Sequence, residues 1–407
     1  MKIFISILFV SLFSISSWGQ IDSIIKRVPL PDSTKIIMNT DAIYNRPFLT
    51  VGKLPIALGG YLEANTQYKG TDGVDEGFSF QFRRLTLFLS STIARRIKFL
   101  SEIEFEDGTK QINIEYAAMD LELHPLFNLR GGIIMNPIGA FNQNHDGPRW
   151  DFIDRPISAT TIIPSTLSNV GFGFHGKIFA HNLSFAYEAY LTNGFDDKII
   201  DNDENRTSLS SGKSNVEKFE ESNSGIPMVT GKLALKHRKY GEIGFSFMTG
   251  VYNKWKTDGI ITDSKRKADV FAFDFNTTIA KQTTITGELA LVNVEIPGST
   301  GEQFGNTQWG CFVDFIQPIY RGTILKFTRA RINACFRFEY ADYNTGKFKA
   351  TNGNIGDDII AIVPGIAFRP SAQTVLRLNY RYHWQQDLLM NPVSRTAIIQ
   401  FGFSTYF

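Results

Sequence analysis

Apolar and polar residues alternate one for one along much of this chain. Ile97, Phe99, Ser101, Ile103 and Phe105 interleave with Lys98, Leu100, Glu102, Glu104 and Glu106, so an extended strand here carries one apolar and one strongly charged face. Val170, Phe172, Phe174 and Ile178 likewise oppose Gly171, Gly173, His175 and Lys177, and Leu376, Leu378, Tyr380, Tyr382 and Trp384 oppose Arg377, Asn379, Arg381 and His383. A buried parallel strand is apolar on both faces and a helix has a longer period, so neither fits. Strands of this kind divide two different solvents.

Such strands are predicted near residues 55–68, 78–92, 96–107, 112–124, 128–136, 169–180, 183–193, 228–238, 242–252, 268–280, 282–296, 306–317, 330–343, 358–369, 374–386 and 395–407, about sixteen in all. Short connectors at 180–182, 239–241, 280–282 and 369–373 take turns with long ones at 69–77, 137–168, 194–227, 253–267, 297–305, 344–357 and 387–394. That asymmetry belongs to outer-membrane barrels, with short periplasmic turns and long external loops. One link breaks it: QPIYRGTILKFTR at 317–329 stands where a short turn is expected. In the second strand Phe78, Phe80 and Phe82 have one parity and Leu85, Leu87 and Leu89 the other, which predicts a bulge near Arg83 and Arg84. Strands of this length match a hydrocarbon core, where every backbone amide must be paired, so the sheet is expected to close on itself. A soluble sandwich would need a polar outer face instead.

Composition agrees with this division. The 407 residues include 35 Phe, 14 Tyr and 34 Gly, yet the mean hydropathy is only -0.11, as alternation requires. Residues 1–19, MKIFISILFVSLFSISSWG, have the layout of a signal peptide. Residues 20–54 lack the alternation and read as an N-terminal periplasmic segment, leaving 55–407 as the transmembrane barrel. Past the signal peptide no uncharged apolar run is long enough for a membrane-spanning helix. The net charge of +2, from 42 basic and 40 acidic residues, gives no basis for a nucleic-acid partner. Cys311 alternates in phase with the outward Trp309 and Val313 and Cys335 with the inward Arg337 and Glu339, and opposite faces argue against a disulfide.

Candidate chemistry is sparse. The six histidines, at 124, 145, 175, 181, 237 and 383, form no metal-binding pair, and there is no nucleophile elbow. No enzyme, no cofactor and no metal are expected. The 194–227 connector is polar and acidic, as in a mobile surface segment, and its DNDEN run lacks the spacing of a calcium loop. By parity, Arg83, Arg84, Lys98, Glu102, Glu104, Arg130, Lys177, Arg337, Arg377 and Arg381 line the lumen, with Glu106, Asp120, Glu122, Glu188, Glu339, Lys232 and Lys236 beside them. Both signs together make a transverse field but no strong single-sign selectivity. The long 137–168 connector is expected to narrow the opening with Asn142, His145, Asp146, Arg149, Asp151, Asp154 and Arg155.

FQFRRLTLFLSS at 80–91, IEYAAMDLELHPLFNLRGGIIMNPIG at 114–139, DFIDRP at 151–156 and NVGFGFHGK at 169–177 occur in this order, and together they resemble the phosphate-selective porins O and P and their relatives. The resemblance implies an all-β antiparallel barrel of sixteen strands in the outer membrane of a Gram-negative bacterium. It is usually a homotrimer, with its third external loop, here 137–168, folded into the pore. It implies passive diffusion of small hydrophilic solutes or ions, or a channel specific for phosphate, another small anion or a saccharide. Met135 stands where the family typically has lysine, and many carboxylates join the lumen face. The last strand puts Ala397, Ile399, Phe401, Phe403 and Phe407 toward lipid and Gln400, Gly402 and Ser404 inward. Its terminal aromatic resembles the signal that other outer-membrane barrels offer to the barrel assembly machinery.

Overall fold

The computed structural model describes residues 25–27, 38–51 and 55–407, apart from 205, 281, 299, 302–303 and 349–350. The expected signal peptide lies outside these residues. The strands are β1 (Ile56–Thr71), β2 (Val74–Ala94), β3 (Ile97–Glu106), β4 (Gln111–His124), β5 (Phe127–Met135), β6 (Ser168–Ala180), β7 (Leu183–Thr192) and β8 (Met228–His237). They continue as β9 (Gly241–Val251), β10 (Lys267–Ile279), β11 (Thr283–Val294), β12 (Thr307–Ile324), β13 (Phe327–Asp342), β14 (Asp358–Ser371), β15 (Thr374–Gln385) and β16 (Ser394–Tyr406). Each pairs antiparallel with the next. β16 returns to β1 in a register running from Thr396 opposite Thr71 to Tyr406 opposite Tyr61. The result is a closed sixteen-strand barrel.

Alternation decides which side chain faces where. Phe80 is 87% exposed and Phe172 73%, whereas Glu102 and Asp274 are fully buried inside. Cys311 points outward and Cys335 inward, and both thiols are free.

Two of the bulges add charge to the interior. Glu63 pairs with Arg84 but Ala64 pairs with Phe82, so Arg83 is an extra residue and both arginines turn inward. Glu102 pairs with Tyr116 but Ile103 with Ile114, which makes Glu115 extra in the same way. A bulge sets two residues against one. Here each adds one ionisable side chain to the interior without disturbing the apolar face.

The 317–329 link is a tight turn after all. β12 runs on to Ile324 and β13 begins at Phe327, so only Leu325 and Lys326, both at positive φ, make the connection. Both strands run past the bounds that alternation predicts, because the register shift between Pro318 and Tyr320 interrupts the alternation there. Pro318 sits at a register shift beyond Ile316, the last β12 residue paired to β11, so its missing N–H breaks no ladder on that side.

The 194–227 connector is not a loose surface segment. Ser208 caps the short helix Leu209–Ser214, accepting a hydrogen bond from the Ser211 amide. Phe195, Ile199 and Leu209 join a cluster with Ile138, Ile162, Ile163 and Leu167 of the 137–168 loop and Met248, Val270 and Val292 of the wall. Small inward residues, Ala268, Ala272, Ala290 and Ala341, leave room for that cluster. The few apolar residues in a polar stretch are the ones that anchor it.

Candidate functional site

The barrel interior is occupied from two directions. The 137–168 loop enters between β5 and β6, and residues 38–51 enter from the short-turn end. Asn142 clasps the base of the loop: its Nδ2 donates to the Asn136 and Leu167 carbonyls at 2.7 and 3.1 Å, and its Oδ1 accepts from the Leu167 amide at 2.8 Å. Its hydrogen bonds are spent on loop closure.

The first limb of the loop lies on the β8–β11 wall. Glu288 accepts from the Ala140 and Phe141 amides at 2.8 and 3.0 Å, and Lys232 Nζ donates to the Gly139 carbonyl and to Asp274 at 2.7 Å each. Gly139 has φ +67°, and a Cβ there would lie 2.4 Å from the Glu288 carboxylate, so glycine is required.

The second limb is held by arginines. Arg369 Nε reaches Asp151 at 2.7 Å, Arg377 reaches the Phe152 carbonyl at 2.6 Å, and Arg337 reaches the Asp154 carbonyl at 2.8 Å while pairing with Asp314 through two bonds. The Asp154 carboxylate accepts from Arg83 at 2.6 Å and Gln400 at 2.9 Å, and Arg381 lies 3.5 Å away. Burial alone would raise the Asp154 carboxyl, but Arg83 and Arg381 outweigh it and hold it down at about 2. Arg337 and Arg377 therefore grip loop backbone, while Arg83 and Arg381 grip the partly exposed Asp154 carboxylate. Arg381 also pairs with Glu339.

Next to β2 the carboxylates of β3 and β4 gather. Glu102, Glu104 and His145 converge, as do Glu104, Glu106 and Glu115. Cations already share these groups: Arg84 lies 3.2 Å from both Glu63 and Glu104, Arg155 lies 3.7 Å from Glu104, and Arg46 lies 2.9 Å from Glu102. His145 directs Nε2 to Glu102 at 3.1 Å and Nδ1 to the Asn142 carbonyl at 2.8 Å. The arrangement is an ion-pair lattice rather than a set of free ligands.

Residues 38–51 complete it. Arg46 is fully buried, stacks over the Phe88 ring at 4.0 Å and pairs with both Glu102 and Asp146. Arg149 donates to the carbonyls of Ala42 at 2.6 Å and Asn45 at 2.9 Å. The Asn39 amide donates to Glu242 at 2.9 Å, and Lys177 pairs with Asp41. Ile43 and Phe48 pack with Tyr61, Phe88, Leu100 and Tyr116. A cavity of about 310 Å³ remains beside them, where Lys98 pairs with Glu122 at 2.5 Å; Arg130, which lines it too, is held by Asp120 and Tyr190.

All seven loop residues and all ten wall residues singled out from the sequence thus lie on the interior side. His145, Asp146 and Arg149 come together with the 38–51 segment, Asp151 and Asp154 with the arginine wall, and Arg155 with the β3 carboxylates. Lys98 and Lys177 stand apart near the short-turn end. Sequence reasoning missed Arg46 and Asp41, which no alternation marks, and Glu115, which its bulge conceals. Asp274, Glu288, Asp314 and Arg369 carried a usable signal, since each has the parity of its inward neighbours.

No protein-family profile matches the sequence. An uncharacterized protein of Aquifex aeolicus (strain VF5) is 32% identical over 149 residues, which is 35% of this chain and about a third (33%) of that protein. Among solved structures, an anion-selective porin from Comamonas acidovorans superposes with a TM-score of 0.53 at 12% identity, covering 86% of this chain and 99% of that one. The outer membrane channel DcaP of Acinetobacter baumannii gives 0.53 at 11% identity, with 86% and 97% covered. OprB of Pseudomonas putida gives 0.54 at 8% identity, with 87% and 94% covered. At such identities the likeness is one of fold: this chain has the barrel architecture of outer-membrane porins.

Proposed function

We propose that this chain is an outer-membrane porin through which small hydrophilic solutes or ions diffuse passively. The observation that carries the reading is the division of a closed barrel into an apolar outer band and an interior of paired charges. Such an inner face has no use in a dry core and is suited to a hydrated path. The loop, held to β8 and β11 by its first limb and to β13, β14 and β15 by its second, narrows that path, with Asp154, Arg155, Arg83 and Glu106 as its partly exposed polar groups.

The protein works without chemistry in this reading. Among the described residues the Glu102, Glu104 and Glu106 carboxylates near the loop each pair with an arginine, Arg46 or Arg84. The ordered motifs from Phe80 to Lys177 favour kinship with the phosphate-selective porins O and P and a homotrimer inserted by the barrel assembly machinery. Glu102, Glu104, Glu106 and Glu115 weigh against phosphate as the sole solute.

Conductance and reversal potential of the purified protein in a planar bilayer under a salt gradient test this. Channel events with modest ion selectivity are expected. Absence of channel events overturns the porin reading.

A further inference from the structure

The β12–β13 hairpin projects past its neighbours at the short-turn end. Pairing with β11 stops at Ile316 and pairing with β14 stops at Arg331, whereas the hairpin continues to the Leu325–Lys326 turn. The register shift between Pro318 and Tyr320 makes Ile319 the extra residue, and this brings Arg321 opposite Arg331. Arg331 is in turn opposite Arg369. Three arginines therefore form a row across three adjacent strands, spanning about 10 Å at normal strand spacing. The row shares the inward parity of Asn333, Cys335 and Arg337.

Like charges directly opposite one another destabilise a sheet. Elsewhere in this barrel the inward arginines face carboxylates, but here, among the described residues, only Arg369 lies within ion-pair distance of one, Asp151 at 2.7 Å. Arg321, Arg329, Arg331, Arg369 and Ser371 line a cavity of about 400 Å³. That volume suits a small ligand. Guanidinium groups stay charged at any physiological pH and bind carboxylate or phosphate through paired N–H donors.

We propose that this row is a binding site for small multivalent anions, those carrying at least two carboxylate or phosphate groups, reached from the short-turn mouth of the barrel. A single carboxylate satisfies one guanidinium, whereas a ligand with several anionic groups bridges the row and offsets the repulsion built into it. The proposal extends the diffusion reading by naming a solute class that meets the protein at this mouth. Binding itself does not depend on conduction.

The test is titration calorimetry of inorganic tripolyphosphate, and separately citrate, into the full chain in neutral detergent at low ionic strength. The unaltered protein is compared with R321Q/R329Q/R331Q, with R331Q alone, and with R238Q/K239Q on the β8–β9 turn. Arg369 is left in place because it also holds the 137–168 loop. The triple variant is expected to bind at least about tenfold more weakly, R331Q to fall between, and the turn variant to match the unaltered protein. Removing like charges relieves repulsion, so the variants should keep the heat-modifiable gel mobility of a folded barrel. No binding to the unaltered protein, equal binding by the triple variant, or equal loss in the turn variant overturns the site. Conduction without binding overturns it and spares the porin reading; binding without conduction does the reverse.

Discussion

Arg46 and Asp146, a hundred residues apart in sequence, face each other through two hydrogen bonds, Nε to Oδ2 at 2.8 Å and Nη2 to Oδ1 at 2.6 Å. The contact joins the segment before the barrel to the loop inside it. Glu102 of the wall binds the same guanidinium, so one cation holds three parts of the molecule.

Replacing Arg46 by Ala leaves Asp146 and Glu102 buried without that cation, a loss of roughly 3–5 kcal/mol for a broken buried pair. Residues 38–51 are then expected to exchange their amide hydrogens much faster, and single-channel conductance to rise. Unchanged exchange would show that the apolar contacts of Ile43 and Phe48 suffice on their own.

Deleting one residue from a strand ordinarily turns every later side chain to the wrong face. Arg83 and Glu115 are exceptions, because Arg84 then follows Phe82, and Tyr116 follows Ile114, in regular alternation. Each deletion is expected to yield a folded, heat-modifiable barrel. The reversal potential should move toward cation preference without Arg83 and toward anion preference without Glu115. Loss of the barrel in both would refute this assignment of the bulges.

Lys232 and Asp274 are wholly buried partners. Lys232→Met alone is expected to cost about 3–5 kcal/mol, and Lys232→Met with Asp274→Leu to recover most of it. Urea-dependent refolding into detergent micelles measures both. A double variant as weak as the single one would mean that the Lys232 bond to the Gly139 carbonyl dominates.

Acid should loosen the loop. Two of its carboxyls, Asp154 and Asp146, are held below their ordinary range, against burial, by Arg83 with Arg381 and by Arg46 with Arg149. A lowered folded-state pKa stabilises above the unfolded value, near 3.9, and the contribution is lost as pH falls through the folded one. For Asp154 the window is pH 4 to about 2. Fluorescence from Trp150, which packs on Phe141 in the same loop, should change across that window, and less so in Asp154→Asn. A change confined to pH above 5 would point to other groups.

The barrel was legible because a period of two is set by the backbone, and each wall residue declares its face through its neighbours. Parity places Arg337 and Glu339 as surely as Phe336 and Phe338. The interior was less legible. Whether Arg377 lines water or grips the Phe152 carbonyl depends on where a loop some 225 residues away comes to rest, and no local pattern carries that. Arg46 shows the limit most plainly: its neighbours follow no period, and its partners arise from tertiary docking alone.

The placement of residues 38–51 also orders events in time. They are made before any barrel strand, yet their partners come from β3, β6, β9 and the 137–168 loop. Asp146 is in addition bound by the Tyr406 hydroxyl at 2.6 Å, from the end of the closing strand. Contacts between such distant parts of the chain form slowly, since the entropy of closing large loops comes first. The segment that precedes every barrel strand therefore completes its contacts only once the inner loop and the closing strand are both in place.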